Sequence, residues 1–169
     1  MHFSVIVVVR PGETVEGNLA PFDENLKVPE YLVNVVSEND KQEFINYYNR
    51  KGDPRHDFEA MYKSHGETWN FNQWKVDPED GQWKEYSTYN PYSQWDWYEL
   101  GGRWNGKFIV EGEKSNAAEI SEIENLKDLT AYAVLVDGKY FTLEAGETVF
   151  DFVKDLPKDV ELYNMDLHI

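Results

Sequence analysis

The sequence predicts a single α+β domain with a mainly antiparallel sheet and two or three helices packed on it. A Val- and Ile-rich segment opens the chain, Asp137-Gly138 is a strong two-residue hairpin signal, and apolar residues follow helical spacing in two places. Runs of strands and helices that do not alternate regularly are typical of α+β folds. A length of 169 residues fits one domain, 1–169.

The first half of the chain predicts a strand, an undecided element and a helix. The segment from Val5 to Val9 is apolar on both faces, which favours a central strand that ends at Arg10-Pro11-Gly12. Residues 30–36 fit a short strand or a short helix. Asp40 can cap a helix that runs to about residue 51. Turn signals between 53 and 90 favour short strands and loops.

The middle of the chain predicts a hairpin followed by a solvated segment. Residues 97–100 and 103–110 alternate enough to pair across Gly101-Gly102. The segment 111–130 then carries six acidic residues, two lysines and no aromatic residue. This composition predicts an exposed, mobile loop or a short exposed helix.

The last third predicts a hairpin, a helix and a closing strand. Residues 131–136 and 139–143 flank the Asp137-Gly138 turn, and an apolar stripe from Val149 to Leu156 follows helical spacing. Residues 160–169 alternate, so the odd positions from Tyr163 share one face and the even positions share the other. If the first and last strands are antiparallel neighbours, a ferredoxin-like sheet results.

The charge of the chain limits its partners. Asp and Glu number 32 against 16 Lys and Arg, which gives a net charge of −16. Such a surface repels nucleic acid, so we expect no direct nucleic-acid binding and a partner with a basic surface instead. Solubility alone is the other explanation of this acidity. The absence of cysteine fits the reducing cytoplasm, and no apolar run is long enough to span a membrane.

All six tryptophans fall in an aromatic-rich segment, 69–104. In a strand, Trp95 and Trp97 would share one face, with Asp96 and Tyr98 on the other. The exposed rings of this segment, which include Trp104, would suit a protein partner. Together with Arg103 they would also suit a nucleotide-like ligand whose phosphate meets the guanidinium. In the alternative interpretation, the rings form a local core and Arg103 pairs internally.

A second candidate site joins the two ends of the chain. Antiparallel pairing of the first and last strands would bring His2 close to Asp166 and His168, a set that can bind a divalent metal or transfer protons. Solvated terminal histidines are the plainer alternative. No phosphate-binding glycine loop, Ser or Cys nucleophile motif or zinc-binding helix motif occurs, so we expect no cofactor.

Short motifs are spread in order over the whole chain, and residues 95–104 form a central WDWY-x-LGGRW motif. The motifs are Met1 to Val5, Ala20 to Asn25, Ser87 to Pro91, Trp95 to Tyr98, Gly101 to Trp104, and Asp166 to Ile169. Together they resemble an uncharacterised family of small proteins encoded by phages and prophages. The resemblance implies a phage accessory protein that acts in the host cytoplasm as a counter-defence or host-takeover factor. It implies no reaction.

Three functions therefore stand as hypotheses. The first is a non-enzymatic inhibitor that occupies a basic, nucleic-acid-binding surface of a host protein. The second is a protein that binds or sequesters a nucleotide-like ligand by Trp stacking and Arg103. The third is a metal-dependent hydrolase built on His2, Asp166 and His168.

Overall fold

The structure is a computed structural model that describes residues 1–66 and 72–169. These residues form two compact units. Unit 1 comprises Met1–Leu26 and Pro91–Ile169, and unit 2 comprises Lys27–Asn90. The predicted α+β class is confirmed. The organisation of 1–169 as one domain stays a prediction.

The described residues contain eleven strands and four α-helices. The strands are β1 (His2–Val9), β2 (Tyr31–Val35), β3 (Asn72–Val76), β4 (Trp83–Ser87), β5 (Trp97–Leu100), β6 (Phe108–Val110), β7 (Glu113–Ser115), β8 (Ala117–Glu119), β9 (Ala133–Val136), β10 (Lys139–Thr142) and β11 (Glu161–His168). The helices are α1 (Val15–Leu19), α2 (Glu38–Arg50), α3 (Phe58–His65) and α4 (Val149–Val153).

Unit 1 is built on a sheet with the strand order β10-β9-β1-β11-β5, and β8 also pairs with β11. The strand β1 is central, as predicted, because it runs parallel to β9 and antiparallel to β11. The other pairings in this sheet are antiparallel, so the mainly antiparallel character is confirmed. The ferredoxin-like arrangement is not confirmed.

Both faces of this sheet are covered. On one face, Ile6 and Leu162 belong to a buried cluster that includes residues from α4. On the other face, Val7 and Leu167 pack in a second cluster with Leu19 of α1. The alternation of residues along β11 between the two faces is therefore as predicted. The even-numbered residues of β1 and β11 share one face, and they are apolar at one end of these strands and polar at the other.

Two predictions for the middle of unit 1 are wrong. Residues 97–100 do not pair with 103–110, because β5 pairs with β11 and β6 pairs with β7. The segment 111–130 is not a solvated loop, since it contains β7, β8 and two short 3-10 turns and contributes several apolar side chains to the core. These are Ala118, Ile120, Ile123, Leu126 and Leu129. Burying them on the sheet outweighs the acidity of the segment.

The hairpin predicted around Asp137-Gly138 is confirmed. Strands β9 and β10 pair across it, and the φ angles of 50° at Asp137 and 70° at Gly138 are those that a two-residue turn requires. The closing strand is confirmed as β11.

Unit 2 packs α2 and α3 with a three-stranded sheet of order β2-β4-β3. Its core is aromatic, with Phe44 and Met61 buried among partly buried rings that include Trp74. Helix α2 begins close to the predicted position, with a capping box between Ser37 and Asp40. The undecided element at residues 30–36 contains the strand β2, Tyr31–Val35, rather than a helix.

Helix α3 lies where the sequence favours strands and loops. The side chain of Asp57 accepts a hydrogen bond from the Ala60 amide and caps the helix, while Met61 is fully buried. Burial of this face overrides the turn signals on either side. No helix in the described ranges is both long enough and apolar enough to cross a membrane.

Candidate functional site

Two histidines and two aspartates meet at one end of β1 and β11. The antiparallel register places His2 opposite His168, as expected from the sequence, and their ring centroids are 4.9 Å apart. Asp166 lies opposite Ser4 in the same register, and Asp96 precedes β5. We call His2, Asp96, Asp166 and His168 the histidine cluster.

Asp166 fixes His2. Its carboxylate is 1% exposed, and its Oδ1 atom lies 3.0 Å from Nδ1 of His2. Its other oxygen, Oδ2, accepts a hydrogen bond from the Arg103 amide at 2.9 Å. Because a carboxylate only accepts hydrogen bonds, Nδ1 of His2 must carry the ring proton and donate to Oδ1. Nε2 is then left for a ligand or solvent.

The second pair of the cluster is exposed. Nδ1 of His168 lies 2.8 Å from Oδ1 of Asp96, and both side chains are more than one third exposed. This hydrogen bond, with the charge of His168, holds the pKa of Asp96 below its usual value. The pair borders the buried His2–Asp166 pair without burying charge.

The turn after β5 is fitted closely to the cluster. Gly101 and Gly102 have positive φ angles of 72° and 47°. A Cβ atom on Gly102 would lie 2.5 Å from the side chain of Asp166, and one on Gly101 would lie 2.5 Å from Asn116. The two glycines therefore permit a backbone approach that no other residue allows.

A network of asparagines holds the chain that follows this turn. The amide nitrogen of the Asn164 side chain, which is buried on β11, donates to the carbonyl of Trp104 at 2.8 Å and to Oδ1 of Asn116 at 3.0 Å. The same oxygen of Asn116 accepts from the Gly106 amide at 2.7 Å. These bonds fix the backbone that presents Trp104 and Lys107.

The described tryptophans are divided between the two units. Trp74 and Trp83 belong to unit 2, Trp95, Trp97 and Trp104 belong to unit 1, and Trp69 lies outside the described residues. The aromatic-rich segment 69–104 is therefore divided between the two units. In unit 1, the side chains of Trp97 and Trp104 are 48% and 38% exposed.

Trp95 and Tyr98 contribute to packing rather than to this surface. Their rings meet edge to face at 4.9 Å and join the cluster that contains Leu19, whose carbonyl accepts a hydrogen bond from the Trp95 indole at 2.9 Å. The prediction that Trp95 and Trp97 share a face is wrong, because β5 begins only at Trp97. Burial, with the charges of Glu16 and Asp23 nearby, raises the pKa of Tyr98.

The exposed tryptophans have opposite electrostatic surroundings. Trp97 follows Asp96 and shares a strand face with exposed Glu99, and its ring meets the edge of His2 at 6.1 Å. We call Trp97, Asp96 and Glu99 the acidic edge. Trp104 instead follows Arg103, and Nζ of Lys107 lies 5.5 Å from the centre of its ring.

Arg103 is present at the site, but its side chain is not locked. The guanidinium is exposed and forms no ion pair with the described residues, so the predicted alternative of internal pairing with Asp96 or Glu99 does not hold there. Its backbone amide, rather than its side chain, contacts the histidine cluster.

A cavity of about 260 Å³ lies beside His2 in unit 1. Besides His2, its lining includes Ser4, Trp104, Lys107 and Tyr132. The hydroxyl of Ser4 donates to Oδ1 of Asn164 at 3.4 Å, so it is not directed at His2 as a nucleophile would be. Sequence reasoning missed Lys107 and Tyr132, because three distant segments bring them together.

Metal binding receives no support from the geometry. In the described part of the chain, no three His, Cys, Asp or Glu side chains converge on a position that suits a metal ion, and this includes His2, Asp166 and His168. The buried carboxylate is already engaged by His2 and by the Arg103 amide.

Comparison of the chain with family models, with curated proteins and with solved structures finds no match.

Another cavity, of about 460 Å³, lies in unit 2 against α2 and Trp74. The described residues that line it include no histidine.

Proposed function

We propose that this chain is an acidic binding protein whose acidic edge engages the basic, nucleic-acid-binding surface of a partner protein. The single observation that carries the proposal is the exposed ring of Trp97 on β5, which lies at one end of the strand order in the unit 1 sheet. Asp96 directly precedes this strand, and Glu99 belongs to it. The phage-type role that this implies is inhibition of a host protein, such as a defence factor.

The net charge supports long-range attraction to such a partner. The ion pairs among the described residues involve eight acidic residues, and many other acidic side chains in the described ranges are exposed. Uncompensated surface charge of one sign speeds association with the opposite sign and disfavours polyanionic ligands such as nucleic acid.

Trp97 supports short-range affinity. Large aromatic side chains at the centre of interfaces account for much of the binding energy, and an indole face also attracts Lys and Arg side chains. Glu99 lies on the same strand face and can pair with the same cation. The acidic edge therefore combines stacking with charge pairing for a partner's basic side chain.

Hydrolysis remains a weaker candidate. The metal-dependent alternative needs His2, Asp166 and His168 to share an ion, and no such arrangement occurs in the described ranges. Ser4 is not directed toward His2. Binding therefore accounts for more of the site than catalysis does.

The experiment is a capture from host lysate with a chain attached at one defined point. Because the chain has no cysteine, Glu79→Cys in an exposed turn gives a unique attachment site in unit 2, whereas the acidic edge belongs to unit 1. We expect a captured protein that elutes when DNA is added and dissociates as salt rises from about 50 to 500 mM.

Matched variants locate the contact. Trp97→Ala should weaken binding of that protein by about thirtyfold, the equivalent of about 2 kcal/mol for an interface anchor, whereas Trp104→Ala should leave it nearly unchanged. Capture that resists salt and DNA, or equal loss in both variants, would contradict the proposal.

A further inference from the structure

A lysine side chain, Lys107, lines the cavity beside His2 and has no anionic partner among the described residues. Lys107 is partly buried, and burial lowers the pKa of its ammonium group. Nζ donates to the carbonyl of Thr130 at 2.5 Å, and no carboxylate pairs with it in the described ranges. An ammonium group has three donors, so two remain for a ligand.

His2 supplies a second polar group at the same cavity. Because Asp166 holds the proton on Nδ1, Nε2 is the ring atom left over, and it has no hydrogen-bond partner among the described residues. Asp166 holds the His2 ring through Nδ1, and the rings of Trp97 and His168 each form a T-shaped contact with it. Such a preorganised imidazole binds a ligand at little entropic cost.

Aromatic rings form the apolar part of the cavity. Trp104 and Tyr132 line it, and Phe3 also lines it with its ring 4.4 Å from that of Tyr132. Tyr132 is 44% exposed, so the cavity opens to solvent beside a flat ring. Exposed aromatic rings of this kind stack on planar ligands.

From this arrangement we infer that the cavity binds a nucleoside monophosphate, with the phosphate at Lys107, a ribose hydroxyl that donates to Nε2 of His2, and the base against Trp104 and Tyr132. The volume of about 260 Å³ lies just below the range of drug-sized pockets and suits one such molecule better than a dinucleotide. Lys107 replaces Arg103, which the sequence favours for this role, since Arg103 does not line the cavity. The site is distinct from the acidic edge and does not depend on the proposed protein partner.

The test is calorimetric titration of the full chain with AMP, GMP, CMP and UMP, with the matching nucleosides and inorganic phosphate as separate ligands. We expect at least one monophosphate to bind, and its nucleoside and phosphate to bind much more weakly. Lys107→Met, which keeps the length of the side chain and removes its charge, should weaken binding by about tenfold or more. Trp104→Leu should also weaken binding, and Glu99→Gln, in the acidic edge but outside the cavity lining, should leave it unchanged.

Amide chemical shifts keep the inference testable if Lys107→Met does not fold. With the wild-type chain, the perturbed amides should lie near residues 2–4, 104–107 and 130–132. Absence of binding by every monophosphate, binding insensitive to both cavity variants, or shifts confined to other residues would overturn the inference. Because the acidic edge is tested with Trp97→Ala and a protein partner, either proposal can fail alone.

Discussion

Nδ1 of His2 donates to the buried carboxylate of Asp166 across 3.0 Å, and this bond ties β1 to β11 at the edge of the candidate site. Since Asp166 also holds the Arg103 amide, one side chain fixes both the orientation of the imidazole and the turn that carries Trp104. The predictions below separate these two roles.

Asp166→Asn should reverse the tautomer of His2. The asparagine oxygen can still accept from the Arg103 amide, but its amide group then faces Nδ1 of His2, which must become the acceptor. We expect the ring proton to move to Nε2, as ¹⁵N spectra of the imidazole would show, and the free energy of unfolding to fall by about 1–3 kcal/mol. Asp96→Asn, in the exposed pair, is the control and should leave the signals of His2 in place.

Gly102→Ala should destabilise the fold more than Gly112→Ala. Both glycines have positive φ angles, which an alanine adopts at a cost of about 1–2 kcal/mol. Only at Gly102 would the new methyl group also lie 2.5 Å from the side chain of Asp166, whereas the space around Gly112 is open. Urea unfolding of the two variants measures the difference, and equal losses would contradict the close fit.

Trp95→Ala should lower the free energy of unfolding by roughly 3 kcal/mol, because it removes a packed ring and leaves the Leu19 carbonyl without its indole donor. Trp97→Ala should have a much smaller effect, since 48% of that side chain is already exposed. Quenching of the two single-alanine variants with acrylamide, a neutral quencher, provides a second measurement. Loss of Trp97 should remove more of the quenchable fluorescence than loss of Trp95.

The Asp96–His168 pair should stabilise the fold above pH 4 and cease to do so in acid. The pKa of Asp96 is lower in the folded chain than its ordinary value near 3.9, so the unfolded chain binds more protons in this range. Stability therefore falls as pH falls from about 4 toward the folded pKa. Asp96→Asn should make the decrease in melting temperature between about pH 5 and 2 less steep, and an identical slope would exclude this contribution.

The end-to-end pairing was accessible to sequence reasoning because it depends only on local alternation. His2 and His168 lie in two apolar, alternating segments, so pairing these segments places both rings on one face. The regular hairpin at Asp137-Gly138 was accessible for the same reason, since the turn residues determine their own backbone conformation.

Other parts of the site depend on contacts that no local pattern contains. The backbone at Trp95 pairs with Phe22 and Asp23 rather than with β11, which shifts the start of β5 and separates Trp95 from Trp97. The cavity draws on segments near Ser4, Lys107 and Tyr132 that are far apart in the chain. Spacing alone does not reveal such a meeting.

The segment 111–130 shows a signal that composition concealed. Apolar residues recur every three positions at Ile120, Ile123, Leu126 and Leu129, and all four are buried. Exposed Glu122, Glu124 and Asp128 lie between them, so the average composition describes the solvent side of a packed segment. Periodicity would have been the better guide.

The order of the strands bears on synthesis of the chain at the ribosome. The strand β1 is made first, yet one of its neighbours, β9, begins at Ala133 and the other, β11, at Glu161. All the strands of the unit 2 sheet, by contrast, lie between residues 31 and 87. The apolar side chains of nascent β1 therefore stay unpaired until the chain has been made through β11, and this delay makes the growing chain a natural client for chaperones.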